Sequence, residues 1–526
     1  MKSVMSHNFS QVPRAEIPRS QFNRSHGYKT TFDSGYIVPV LVEEALPGDT
    51  YNVSMTAFAR LATPIVPFMD NLVLDTFFFA VPYRLVWDNW QKFNGEQVDP
   101  GDSTDYEIPQ MVSTAVTGYT IGSLHDYFGL PTGKAGYTHS ALFHRAYNLI
   151  YNQWFRDQNL QDSVVVDRDD GPDLPADYVL LRRGKRHDYF TSCLPWPQKG
   201  TAVSIPLGTS APVLGIATRD NAPYTNNVTG YLDSSGVAPT GSNWSENIDN
   251  TLAGVRIQGN NTTHVPNIYA DLSTATAATI NSLREAFQIQ KLFERDARGG
   301  TRYTEIILSH FGVTSPDARL QRPEYLGGSS APVNVSPIAQ TSSTDATTPQ
   351  GNLAAMGTLS VRGSGFVKSF TEHCLILGLV SVRADLNYQQ GLNRMWSRNT
   401  RYDFYWPALS HIGEQAVLNK EIYLQATSAD ESVFGYQERY AEYRYKPSQI
   451  TGLFRSTAAG TLDVWHLAQN FSSLPALNAA FIVEDPAVDR VIATPTEPHF
   501  LFDAYFNMIT ARPMPTYSVP GLIDHF

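Results

Sequence analysis

From Lys29 to Trp87 the apolar positions follow the periods of strands. Tyr36-Ile-Val-Pro-Val-Leu-Val42 is rich in β-branched residues, and the stretch Glu43–Asp49 closes on Pro-Gly-Asp, a turn signal. Tyr51–Phe58 alternates apolar and small polar residues over much of its length, and Leu72–Val81 is an apolar run that predicts a buried strand. Helical spacing follows. Trp87–Phe93 predicts a two-turn helix, and Ser140–Leu160 a longer one, with Leu142, Phe143, Ala146, Leu149, Ile150 and Trp154 on one face. A further helix runs over Ile280–Phe293, with Thr279 as its N-cap, Ile280, Leu283 and Phe287 on one face, and Gly299-Gly300 to end it. Strand character returns over Phe366–Asp385 around the core run Cys374–Val382, then near Glu421–Ala426 and Pro498–Thr510. Two stretches lack either period: Gly208–Leu272, rich in Asn, Thr, Ser and Gly, reads as a surface excursion, and Gly327–Met356 as an irregular strap. No repeat of solenoid or propeller type is present. Short strands broken by Pro/Gly turns, with helices inserted but no βαβ alternation, predict a mainly β sandwich or barrel and not a parallel doubly wound sheet.

At 526 residues the chain has the length of two or three ordinary domains, or of one large β domain with long insertions. Only 17% of residues are charged while 12% are aromatic, a balance that suits surfaces engaged with partners. The formal charge of −11 argues against a bulk nucleic-acid coating protein, though not against a shell whose inner face alone meets DNA. The first 30 residues oppose this balance: Lys2, Arg14, Arg19, Arg24 and Lys29 stand against Glu16 alone, in a polar stretch with Pro13 and Pro18. They read as an extended arm, either a solvated tail or a segment that faces DNA or bridges subunits. Cys193 and Cys374 are too few for a disulfide framework and have no CxxC partner, which points to a reducing compartment and away from thiolate metal sites. The N-terminus has no apolar signal-like run, and Leu72–Val81 and Cys374–Val382 fall short of the ~20 residues of a membrane helix, so neither secretion nor membrane insertion is expected. The sequons at Asn227, Asn243 and Asn261 then read as ordinary loop composition.

No catalytic motif emerges. HExxH, GxSxG and the P-loop are missing, and Gly129-Leu-Pro-Thr-Gly133-Lys134 has its glycines one residue too close. The histidines lack ligand spacing; His139 and His144, five apart, would not share a helix face. Asp167-Arg-Asp-Asp170 with Gly171-Pro172 reads as a polar turn, although its ligand type admits a divalent ion. The densest basic cluster, Arg182-Arg-Gly-Lys-Arg-His187, precedes Tyr189, Phe190 and Trp196. Cations beside flat rings suit single-stranded DNA, and equally a solvated turn or a subunit contact. No catalytic residue, cofactor or metal is therefore expected. A secreted or surface β-sandwich adhesin, or a carbohydrate-active protein, would use the aromatics and Asn/Thr-rich loops, but lacks here both a signal peptide and a defensible carboxylate pair. A DNA-processing enzyme would need a metal or nucleotide motif.

Several segments cohere into a resemblance. Ala59-Arg-Leu-Ala-Thr-Pro64, Leu74-Asp-Thr-Phe-Phe-Phe79 followed by Val81-Pro82, Arg84-Leu-Val-Trp-Asp-Asn-Trp90, Glu294–Tyr303, Ser309–Val313, Pro323–Gly328, Tyr440–Tyr445 and Pro513–Phe526 resemble the major capsid proteins of gokushoviruses, a branch of the Microviridae, the small tailless single-stranded DNA bacteriophages. The resemblance implies a single jelly-roll β-sandwich of viral capsid type with long loop and helical insertions. It implies sixty copies in a T=1 icosahedral shell around circular single-stranded DNA, assembled in the bacterial cytoplasm and resident in the virion. It also implies an internal scaffolding protein, a DNA-pilot protein and a small DNA-binding protein as partners. The expected organisation is an interior arm over residues 1–30, a capsid domain over 31–207 and 273–526, and a protrusion at the three-fold axis over 208–272, which carries attachment to a host receptor. Family members differ most in that insertion. Arg14, Arg19, Arg24 and Lys29 are the first candidates to face the genome, with Arg182, Arg183, Lys185 and Arg186 after them; Tyr224, Tyr231, Trp244 and Ile268 are candidates for buried trimer contacts in the protrusion.

Overall fold

A computed structural model describes residues 18–114, 116–201, 203, 280–342 and 349–517, together with four short strands between 213 and 270. The long strands, in chain order, are β1 (Ser20–Asn23), β2 (His26–Phe32), β3 (Val38–Ala45), β4 (Thr50–Leu61), β5 (Leu72–Pro82), β6 (Glu324–Pro332), β7 (Asn334–Ala339), β8 (Leu353–Ser369), β9 (Cys374–Ala384), the hairpin β10 (Glu414–Leu418) and β11 (Val433–Glu438), and β12 (Phe500–Arg512). One antiparallel sheet has the order β2-β12-β4-β8, with β1 also on β12 and β7 on the free side of β8; the other has the order β3-β9-β5-β6. Taking β1 with β2 and β7 with β8, chain order alternates between the sheets, except that β5 and β6 both lie in the second. This is the eight-strand jelly roll, two nested Greek keys. Its β5–β6 and β9–β12 connections have grown into the two long insertions.

The alternation read from the sequence sets the first sheet. Tyr51, Val53, Met55, Ala57, Ala59 and Leu61 of β4, and Phe500, Phe502, Ala504, Phe506 and Met508 of β12, point into the sandwich, with more exposed residues between them. Leu74, Phe78, Ile376, Val380 and Val382 meet them from the second sheet. The unbroken apolar runs of β5 and β9 have a different cause: that sheet is covered on both faces. Phe79 and Val81 with Leu375, Leu377 and Leu379 form a second core beneath α1 (Leu142–Ile150), with Trp87, Tyr147 and Ile150. A third cluster joins Tyr189, Phe190 and Cys193 to Tyr388, Val417, Ile422, Phe434 and Phe481 of the second insertion. The chain divides into two compact units: Met1–Pro197 with Asp296–Phe526, which holds the jelly roll, and Gln198–Arg295. In the latter, Val255–Ile257 pairs with Ile216–Thr218, and Tyr269–Ala270 with Val213–Leu214.

Several elements differ from the sequence reading. The stretch read as an arm is already strand from Ser20, because Tyr28, Thr30 and Phe32 supply the inward positions that pair against β12. The stretch read as a strap over 327–356 contains β6, β7 and the start of β8. Its Gly-Gly-Ser-Ser positions hide the two-residue period because backbones approach too closely for side chains: a Cβ on Gly328 would stand 2.0 Å from the Thr76 carbonyl oxygen. Glu421–Ala426 is not a strand. Glu421 sits in a one-turn helix, Asn419–Ile422, between the two strands of the β10–β11 hairpin. Only Trp90–Phe93 of the first expected helix is α-helical, and α1 gives way to a π turn at Tyr151–Phe155. The third helix, α2, spans Ile280–Arg298 and stops at the glycines.

A candidate nucleic-acid interface

The basic cluster lies in a wall of the jelly-roll unit, tied on both sides by backbone bonds. Arg183 N–H donates to the Gly35 carbonyl (2.9 Å) and Lys185 N–H to that of Ile482 (2.7 Å). Consecutive side chains consequently face different surroundings. Arg182 stacks on Tyr36, 4.3 Å from the ring centre, and pairs with Asp485. Arg183 lies 2.7 Å from Asp75, which also accepts from Arg383 at 2.7 Å. Burial alone would raise the Asp75 pKa, but bonds from Ser330, Arg183 and Arg383 outweigh it and hold the carboxyl below its usual range. Lys185 donates to the Phe481 carbonyl (2.6 Å) over that ring, and burial pushes its pKa down to about 8. Arg186 is the most exposed of the four, 3.4 Å from Asp385.

Arg183 to His187 line a cavity of about 760 Å³, and further cations reach it from distant parts of the chain. Arg156 follows the π turn; Arg298 and Arg302 flank the Gly299-Gly300 break between α2 and α3 (Tyr303–Phe311). Arg298 is committed to Glu414 and Gln437. Arg302 donates to the Arg156 carbonyl (2.6 Å) and lies 3.2 Å from Glu305. Arg156 has no carboxylate partner among the described residues; its Nη1 donates to the Gln161 carbonyl (2.7 Å). The buried Nε atoms of Arg156 and Arg302 have no hydrogen-bond partner. Burial, then the charge of Arg302, holds Arg156 below the ordinary arginine pKa. A second guanidinium beside Arg156, disfavouring its charge, makes this a place where an anion lowers the energy. Sequence reasoning did not assign Arg156, Arg298 or Arg302 to this wall. The signal was the Arg-Gly-Gly-Thr-Arg run after α2, which only tertiary structure brings to the cluster.

The described N-terminal candidates do not line this cavity. Arg19 donates to Thr50 Oγ1 (2.8 Å), Arg24 pairs with Glu43 (2.7 Å), and the well-exposed Lys29 pairs with Asp503 (2.6 Å) on the neighbouring strand. Arg14, Tyr224, Tyr231, Trp244 and Ile268 lie outside the described residues. The acidic turn is structural: Asp173, fully buried, holds the fully buried Arg145, Asp169 lies 3.4 Å from the same guanidinium, and Asp170 accepts from Trp87 and Asn89. The histidines are less scattered than their spacing suggests. His139 is on a short strand, not on the helix of His144, and His125, His139 and His144 pack around Tyr119 and Phe128, with His125 Nδ1 2.8 Å from His144 Nε2. Burial keeps all three neutral-leaning: His125 is pushed down to about 4, and His144 well below the usual range.

A jelly roll with its inter-strand connections expanded and a cationic recess has the make-up of a viral coat subunit. The chain belongs to the capsid protein (F protein) family, which matches residues 10–522, and within it to the gokushovirus major capsid proteins. It is 49% identical over 527 residues to the capsid protein VP1 of Bdellovibrio phage phiMH2K, covering 99% of this chain and 98% of that protein. Capsid protein VP1 of Chlamydia phage 1 is 47% identical over 589 residues, with 99% and 98% covered. Capsid protein VP1 of Spiroplasma virus 4 is 39% identical over 562 residues, with 99% and 100% covered. The chain is thus a structural protein of the virion and not an enzyme. No helix among the described residues is long and apolar enough to cross a membrane.

Proposed function

We propose that sixty copies of this chain close into a T=1 icosahedral shell around circular single-stranded DNA, and that the insertion 208–272 forms a three-fold protrusion that attaches to a host receptor. The observation that carries the shell reading is a capsid-family match along nearly the whole chain, on a jelly roll. On this reading an internal scaffolding protein, a DNA-pilot protein and a small DNA-binding protein act alongside it. Tyr224, Tyr231, Trp244 and Ile268 hold the protrusion's stem to its symmetry mates.

The genome-facing surface in this reading is the cavity wall, where Arg156 has no carboxylate partner among the described residues and Arg186 is accessible. Arg183 and Lys185 shape it while their own charges are engaged, and Arg14, Arg19, Arg24 and Lys29 contribute as a second cationic zone. Packaging needs only sequence-tolerant phosphate contacts, so local cations suffice in an acidic chain. The test is Arg156→Ala with Arg302→Ala in assembled particles. Nuclease-protected DNA per shell should fall, and the slope of its dependence on log salt should flatten by about one for each phosphate that an arginine no longer neutralises. Unchanged DNA content and salt slope in intact shells would exclude the cavity as the DNA-binding surface. For the protrusion, particles with a shortened tip should remain intact yet lose or redirect adsorption; normal infection by them would remove the receptor role.

A further inference from the structure

We propose that the segment Met395–Ile412 of the second insertion is a docking face for a second copy of this chain, which presents its acidic loop 96–107 to it; the inference rests on the shell-forming reading above. Within this short stretch Met395, Trp396, Tyr402, Phe404, Tyr405 and Trp406 are all about half exposed or more, and Trp396 is 72% exposed. Contiguous apolar exposure on this scale marks an interaction site rather than ordinary surface. Rigid aromatics, Met and Arg are also the residue types enriched where protein interfaces are driest.

The face is held in shape although it contains only single 3-10 turns. Trp406 Nε1 donates to the Arg401 carbonyl (2.8 Å), and the Tyr440 hydroxyl to the Tyr402 carbonyl (3.2 Å). The Arg398 guanidinium sits 5.1 Å from the Phe404 ring centre and 4.5 Å from that of Tyr443, and 3.6 Å from Glu442. Asp403 accepts the N–H groups of Asn399 and Thr400. The rings therefore present a fixed surface, which lowers the ordering cost of binding.

Charge selects the occupant. Arg401 and Lys446 border the face and form no ion pair among the described residues. Two such faces set against each other would oppose cations to cations, which disfavours a two-fold contact between identical patches. The opposite character occurs elsewhere on the same chain. Glu96, Asp99, Asp105 and Glu107 are exposed and form no ion pair among the described residues; Glu96 and Asp99 flank Val98 in the chain, itself 75% exposed. Asp102 fixes the loop by accepting from the Val98 and Asp99 N–H groups (3.3 and 3.2 Å). An apolar residue in an acidic loop complements an aromatic face bordered by cations. Such a contact is heterologous, the kind that builds closed rings. Single-stranded DNA is the weaker fit, because Arg398 and Arg444 already face Glu442 and Glu438.

The experiment compares particle yield, by sedimentation and electron microscopy, for full-length wild type and variants, with subunit melting recorded for each. Trp396 is 72% exposed and its side chain forms no hydrogen bond or ring contact among the described residues, so Trp396→Ala should melt close to wild type and yet lower the yield of closed particles roughly tenfold, as loss of an anchor does. Arg401→Glu with Lys446→Glu should do the same, as should Glu96→Lys with Asp99→Lys, and the four changes together should restore assembly. Wild-type yields from Trp396→Ala and from both reversals would overturn the proposal. So would reversals that the combination fails to rescue. Normal shells holding less DNA would make the face a nucleic-acid platform instead. A wild-type chain that never assembles would sink the shell reading and this inference together, an outcome distinct from the others.

Discussion

At the scale of single residues, buried charge and buried imidazole are the two stakes. Arg145 and Asp173 are fully buried, and the Arg145 guanidinium also donates to the carbonyls of Val86 (3.1 Å) and Asp169 (2.8 Å), while the Tyr178 hydroxyl donates to Asp173. Removing one partner leaves the other charge desolvated and uncompensated. Asp173→Ala is therefore expected to cost about 3–5 kcal/mol in denaturant unfolding, a loss that an exposed pair such as Lys29–Asp503 cannot approach. The histidine group sets an acid limit. With folded pKa values held down by burial, His125 and His144 take up protons in the unfolded chain before the folded one. Their contribution is fully present above about pH 6.5 and is lost as pH falls toward about 4. His144→Phe should flatten that part of the stability–pH curve; a wild-type acid limb in the variant would show that carboxylates alone produce it.

At the scale of elements, the strands that carry large side chains were legible, and those that carry small ones were not. β4 and β12 announce themselves by alternation, and β5 and β9 by continuous apolar runs, because in each case burial selects the residues. β6 and β8 cross where backbones nearly touch. A Cβ on Gly365 would stand 1.9 Å from the Val53 carbonyl oxygen of β4, just after the register shift between Val361 and Ser364. There the constraint is the lack of a side chain, which periodicity does not register. Gly365→Ala is thus expected to destabilise by about 1–3 kcal/mol or more, since backbone rather than a yielding side chain must move. Thermal unfolding would check this, with Gly363→Ala, at the register shift of the same strand and open to space, as a comparison that strains φ without a clash. The candidate site was half legible for a related reason. Residues 182–187 stand out as a run, but the cavity also takes Arg156, Arg298 and Arg302, which are separated in sequence and joined only by the fold.

At the scale of the whole molecule, the charge of −11 per chain means that copies repel one another and repel DNA at long range. On the proposed reading, assembly must then rest on short-range apolar contacts, and DNA retention on a few local cations. These two forces respond oppositely to salt. Added salt screens the repulsion between subunits and leaves apolar contacts intact or strengthens them. The same salt weakens phosphate contacts, with log affinity falling in proportion to log salt. Raising salt from about 0.05 M to about 1 M should therefore leave shells closed while contacts between DNA and the inner wall are lost, a separation that a shell held by surface ion pairs would not display. Sedimentation read together with the yield of protein–DNA crosslinks measures both quantities in one series. Release of DNA in step with disassembly would mean that the genome itself, and not contact between subunits, holds the particle together.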